Sequence, residues 1–164
     1  MTTQTEAIET KNAQPESDRE IVISRLFDAP RELIWKLWTT PEHIAKWWGP
    51  VDFTNTTYEM DVRPGGVWRY TMHGADGVDY ADKVVYVEVV ENERLEYSHS
   101  SEDDPDFKAF RTRVTFEEKG AQTEVTMRIR LESVEEKNRL MKFGAVEGGH
   151  STLYCLAEYL KTLS

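Results

Sequence analysis

The stretch RLFDAPRELIWKLWTTPEHIAKWWGP, residues 25–50, decides the fold, because in one run it ends a strand and encodes two short helices. Asp28 is placed to cap the first helix, and Pro30 falls in its first turn, where a missing N–H has no consequence. Leu33, Ile34, Leu37 and Trp38 then recur at helical spacing on one side. Thr40 and Pro41 repeat the device for a second helix, as N-cap and first helical residue, with Glu42 set against the positive end of the helix dipole. Ile44, Trp47 and Trp48 follow at i, i+3 and i+4, and Gly49-Pro50 is a stop signal. Both tryptophans are thereby expected on the last turn of the second helix, sharing a face, one as an anchor in the core and the other near a cavity mouth.

Upstream, EIVISRLF (residues 20–27) alternates Ile21, Ile23 and Phe27 with Val22, Ser24 and Leu26 and predicts a first strand. Residues 1–19 are polar and carry too little apolar surface to offset the entropy of ordering, so they are expected to form a flexible tail, the alternative being a short helix around residues 6–11. Downstream, residues 53–132 change to period two. Turn signals at residues 63–66, 76–77, 91–94 and 119–120 divide them into about six strands. Trp68, Tyr70 and Met72 oppose Val67, Arg69 and Thr71, while Val125, Met127, Ile129 and Leu131 oppose Thr126, Arg128 and Arg130, which implies an antiparallel sheet with one apolar face. Arg69, Arg111, Arg113, Arg128 and Arg130 are assigned to the solvated face, paired with carboxylates.

The acidic segment SEDDPDF (residues 101–107) reads as an exposed loop and a candidate lid. Ser133 caps a long terminal helix whose inward stripe is Phe143, Val146, Gly149, Leu153, Leu156, Ala157 and Leu160. Gly144, Gly148 and Gly149 interrupt it and suggest a kink, a close approach or room for a ligand.

The chain of 164 residues is expected to form one domain over residues 20–164. Its net charge of −10 disfavours nucleic acid and anionic membranes, both of which need clustered cations. Cys155 is alone and no run resembles a membrane span or a signal peptide, so a reducing, cytoplasmic setting is expected. His43, His73, His99 and His150 make no recognised zinc spacing with Cys155, and neither a metal nor another cofactor is expected. Glu147 and His150 either make a surface contact or form an acid/base pair at a cavity; nothing else completes a catalytic constellation, and no catalytic residue is assigned. No nucleophile elbow, HExxH helix or phosphate-binding glycine loop occurs.

The segments at residues 25–50, DVRPGGVWRYTMHGADG at 61–77 and LAEYL at 156–160 together resemble the START-like (SRPBCC) superfamily, in its branch of activator of heat-shock-protein-90 ATPase homologues, over about residues 20–163. The resemblance implies an α+β helix-grip fold: a curved antiparallel sheet wrapped around a long C-terminal helix, with two short helices after the first strand. It also implies an apolar cavity between sheet and terminal helix that takes a lipid-like, polyketide-like or aromatic molecule. The expected lining is Trp38, Trp47, Trp48, Trp68, Tyr70, Met72, Tyr97, His99, Phe116, Met127, Val146, Gly149 and Leu153, with Tyr70, Tyr97 and His99 as orienting polar groups. Members of the branch often carry a bulky residue where this chain has Gly149, so either the cavity is enlarged there or the helix sits closer to the sheet. Family members include binding proteins, aromatase/cyclases and co-chaperone domains without a shared catalytic residue. A chaperone partner and a cyclase- or hydrolase-type enzyme therefore stand as alternatives, the reading leaning towards binding by a monomer or homodimer rather than turnover.

Overall fold

The computed structural model describes residues 14–163. Strand β1 (Glu20–Phe27) leads to helices α1 (Arg31–Thr39) and α2 (Pro41–Trp47). Six strands follow, β2 (Thr54–Met60), β3 (Val67–His73), β4 (Asp79–Val90), β5 (Arg94–Ser101), β6 (Phe110–Lys119) and β7 (Gln122–Arg130), then helices α3 (Val134–Lys142) and α4 (Ala145–Lys161). The strands form one antiparallel sheet in the order β1-β7-β6-β5-β4-β3-β2. Since β1 and β2 are the two edges, α1 and α2 carry the chain across the open face from one edge to the other. Helix α2 packs on β2, α4 packs on β1, and α2 meets α4, which gives the helix-grip arrangement.

The inner face is built from cross-strand rows. One row runs Ile23, Met127, Val114 and Leu95; the next runs Ile129, Thr112, Tyr97 and Tyr86. Burying apolar area of this extent, at about 25 cal/mol per Å², is the main stabilising term of the fold. Above the rows the rings interlock edge to face: Trp38 meets Trp47, Trp48 and Phe116 at centroid distances of 4.8, 5.9 and 5.6 Å. Trp48 reaches the sheet at Trp68, 5.3 Å away, and Trp68 stacks on Tyr70 at 4.2 Å.

Several local expectations are corrected. Helix α1 starts at Arg31, with Pro30 as an extended N-cap residue rather than in the first turn. The Pro30 carbonyl accepts from Leu33 and Ile34, and Pro30 rather than Asp28 occupies the N-cap position. Thr40 is the N-cap of α2 with Pro41 first in the helix, but it caps with its carbonyl, which accepts from His43 and Ile44, and not with its hydroxyl. Trp48 is the C-cap in extended conformation rather than part of the last turn, because Gly49 at φ +117° turns the chain away.

The terminal helix is two helices. Ser133 caps α3, its hydroxyl accepting from the Glu136 N–H at 3.1 Å, but the chain breaks at Phe143-Gly144, where Gly144 adopts φ +86°. Phe143 is consequently 78% exposed and leaves the inward stripe on which it was expected.

Of the expected tail, residues 1–13 lie outside the described residues, as does the alternative helix at residues 6–11. The segment from residue 14 runs along β7 and α3: Arg128 donates to the Gln14 carbonyl, Arg19 to the Leu131 carbonyl, and Lys137 to the Asp18 carbonyl.

Candidate functional site

Two clefts open at different ends of α4. The first, of about 440 Å³, is bordered by Trp47, Trp48, Pro50, Val51, Phe53, Tyr154, Cys155 and Tyr159. Its walls are cross-braced, since His43 Nδ1 lies 2.7 Å from the Tyr159 hydroxyl and the Val51 N–H donates to Ser151 Oγ at 2.8 Å. Asn55 on β2 closes the end of α2 by donating to the Trp48 carbonyl at 3.0 Å, satisfying a helix-terminal acceptor.

The second cleft, of about 560 Å³, lies between the sheet and the break in the terminal helix. Tyr80, Phe107, Phe110, Leu140 and Phe143 supply its apolar surface, and Asp104, Asp106, Lys108, Glu136 and Arg139 its rim. Arg139 is fixed by a two-pronged ion pair with Glu136, at 2.8 and 2.6 Å, and lies over the Phe143 ring at 5.8 Å from its centroid. That bond holds the Glu136 carboxyl below its usual range and the Arg139 guanidinium above its own.

Directly behind Phe107 and Phe110 lies His99, its ring 6.0 and 4.8 Å from theirs. Its Nε2 is 3.0 Å from Asp82 Oδ1 in a pair that is mostly shielded from solvent. Asp82 stands opposite Tyr70 in the β3–β4 register, and the Tyr70 ring is 6.3 Å from His99. Burial, reinforced by the Asp82 carboxylate, pushes the Tyr70 hydroxyl well above the normal tyrosine range, with a hydrogen bond from Trp48 offsetting part of the rise. Tyr97 and Tyr86 are also raised, chiefly by burial. These phenols stay protonated and act as hydrogen-bonding groups, not as bases.

The expected lining residues separate by location. Trp47 and Trp48 border the first cleft, and Phe116 borders a polar groove beside Arg31 and Glu117. Trp38, Trp68, Tyr70, Tyr97, Met127 and Leu153 lie in the buried cluster, with Met72 and Val146 packed at its margin. Gly149 faces Ile23 so closely that a β-carbon would collide with Ile23 Cδ1. Of the two readings of Gly149, the closer seat of the helix is the one observed.

Glu147 and His150 are both exposed on α4. The Cys155 thiol is pushed up by burial and then by Asp52 and Glu158, which keeps it from acting as a thiolate at neutral pH. Among the described residues no group of three or more His, Cys, Asp or Glu side chains is placed to hold a metal ion. No described helix is long and apolar enough to cross a membrane.

Sequence reasoning missed Asp82, Tyr80, Phe110 and Leu140. Asp82 becomes visible only once the β3–β4–β5 register is known, whereas Phe107, a ring within an acidic loop, was a signal present in the sequence.

A search of curated proteins finds no match to the chain. Among solved structures, a protein from Mycobacterium smegmatis is 28% identical with a TM-score of 0.79, covering 87% of this chain and 91% of its own. A protein from Nitrosomonas europaea is 21% identical with a TM-score of 0.80, over 90% and 97% of the two chains, and one from Arthrobacter aurescens is 22% identical with a TM-score of 0.83, over 88% and 87%. The model of the family described as "Activator of Hsp90 ATPase homolog 1-like protein" matches residues 28–161. With that match spanning both short helices, six of the seven strands and the terminal helix, the chain belongs to the Activator of Hsp90 ATPase homolog 1-like family, within the START-like (SRPBCC) superfamily.

Proposed function

We propose that the protein binds a hydrophobic small molecule, of lipid-like, polyketide-like or aromatic class, in the cleft between the sheet and the break of the terminal helix. The observation that carries this reading is Phe143, an aromatic ring left 78% exposed at the rim of an apolar cleft by the break at Gly144, with the Glu136-paired Arg139 over its face. A large ring kept in water beside Phe107 and Phe110 supports a surface completed by a ligand. The volume, about 560 Å³, falls within the range of small-molecule sites. The ligand's apolar body meets the three phenylalanines, and its polar end is served by Lys108 and Arg139 on the rim. His99 and Asp82 orient the aromatic wall from behind.

A thermal-shift screen of medium-chain fatty acids and bicyclic aromatic compounds tests the reading. A hit is expected to stabilise the wild type, with affinity about tenfold weaker in Phe143→Ala, whose own melting temperature stays near that of the wild type because the ring is mostly solvated. Absence of stabilisation by every apolar compound would remove the proposal. Protein docking is the second reading, supported by family membership and by the exposed Val134, Met141 and Phe143. Calorimetry against a purified Hsp90-type chaperone distinguishes it, since heat of binding that vanishes in Phe143→Ala supports docking and no heat excludes this partner.

A further inference from the structure

On the outer face of the sheet, away from the packed core, four arginines meet in register. Arg111 stands opposite Arg130 and Arg113 opposite Arg128 across the β6–β7 pair. Directly opposed residues of this kind have β-carbons about 4.5–5.5 Å apart, and like charges so placed destabilise a sheet. Two such pairs side by side, in a chain of net charge −10 with 20 Lys and Arg in all, are a local concentration of positive charge.

The compensating carboxylates sit on the flanks. Glu96 on β5 takes Arg111 at 2.9 Å and Arg113 at 3.4 Å, while Glu20 on β1, 2% exposed, takes Arg128 at 3.1 Å and Arg130 at 3.4 Å. The six side chains are four guanidiniums and two carboxylates, so cations outnumber anions in the group. Among the described residues, those six side chains line a cavity of about 80 Å³. Its size suits a few waters or one tetrahedral oxyanion. Each guanidinium carries five N–H donors in a planar fork, the geometry that matches phosphate oxygens.

We propose that this cavity binds a dianionic tetrahedral oxyanion of the phosphate class, as inorganic phosphate or the phosphoryl group of a small phosphomonoester. The anion's negative charge complements the four guanidiniums, and its oxygens lie between the β6 and β7 arginines while Glu20 and Glu96 hold the guanidiniums from outside. Overall repulsion between an acidic chain and an anion makes the site a local feature rather than a consequence of general charge.

The test is thermal stability and phosphorus NMR of the full chain titrated with inorganic phosphate, and separately with phenyl phosphate, at ionic strength held constant with sodium chloride. Phosphate at about ten times its dissociation constant is expected to raise the melting temperature by about 3–6 °C. Arg111→Gln and Arg130→Gln are each expected to weaken binding at least tenfold, and Arg111→Lys, which keeps the charge but not the fork, by a smaller factor. Arg69→Gln, paired elsewhere with Glu59 and Glu102, should bind as the wild type does. Binding of both compounds, or of inorganic phosphate alone, supports the site and differs only in the source of the anion. No saturable binding by the wild type, or an equal rise in the Arg111→Gln and Arg130→Gln proteins, would overturn it and leave an ordinary solvated charge cluster.

Discussion

The indole N–H of Trp47 donates to the backbone carbonyl of Leu37 at 3.0 Å, and both residues are buried. Leu37 lies in the last turn of α1, where carbonyls have no partner within their own helix, so a side chain of α2 completes the end of α1. This bond sets the angle between the two helices that cross the open face. Trp47→Phe retains most of the ring volume and leaves a buried acceptor unpaired. A loss of about 1–3 kcal/mol in urea unfolding is expected, with no change in slope. A loss below about 0.5 kcal/mol would show that the carbonyl finds another partner.

Gly149 and Ile23 form a pair in which one residue's missing side chain makes room for the other's terminal methyl. Gly149→Ala is expected to destabilise by about 1–3 kcal/mol through overpacking, although alanine is the better helix former. Ile23→Val alone should cost about 0.5–1.5 kcal/mol. Removing Cδ1 relieves the clash, so the double variant should be more stable than the sum of the two losses predicts. Simple additivity in the double-mutant cycle would refute the contact.

The Glu136–Arg139 pair makes stability pH-dependent in a defined direction. Because the folded carboxyl is held below its usual range by Arg139, its contribution is complete above about pH 4.3, the ordinary glutamate value, and is lost as pH falls through the lowered folded value. The melting temperature of the wild type should therefore exceed that of Glu136→Gln at neutral pH, with the gap closing in acid. A gap unchanged between pH 7 and pH 3 would contradict the assignment.

Cys155 borders the first cleft with its thiol raised by burial and by two nearby carboxylates. Alkylation by iodoacetamide at pH 7.5 should be several-fold slower than for a cysteine in a short peptide, since the thiolate is the reactive form. Asp52→Asn should accelerate it, asparagine being well suited to the left-handed conformation at φ +74° that Asp52 adopts. An unchanged rate would mean that access, and not charge, limits the reaction.

The fold was largely legible because its signals are local. Period-two runs with turn residues between them produced the six strands of residues 54–130, and Thr40-Pro41 and Gly49-Pro50 bracketed α2. Helix ends were misplaced where backbone groups replaced side chains as caps, as at Pro30, which residue type does not reveal. The site was less legible. His99 is among the expected orienting groups, yet its partner Asp82 is 17 residues away and meets it only through strand register. Phe143 was placed inward because helical periodicity was extended through Gly144, whose left-handed conformation ends one helix and starts another.

The same glycine has a consequence for how the cleft can diversify. The opening between α3 and α4 is governed by one residue's two backbone dihedrals, and an added β-carbon would disfavour them by about 1–2 kcal/mol. Aperture and lining are therefore separate variables. Under the proposed function, exchanging Phe107, Phe110 or Phe143 changes the chemistry of the lining, whereas a change at Gly144 changes the break between α3 and α4.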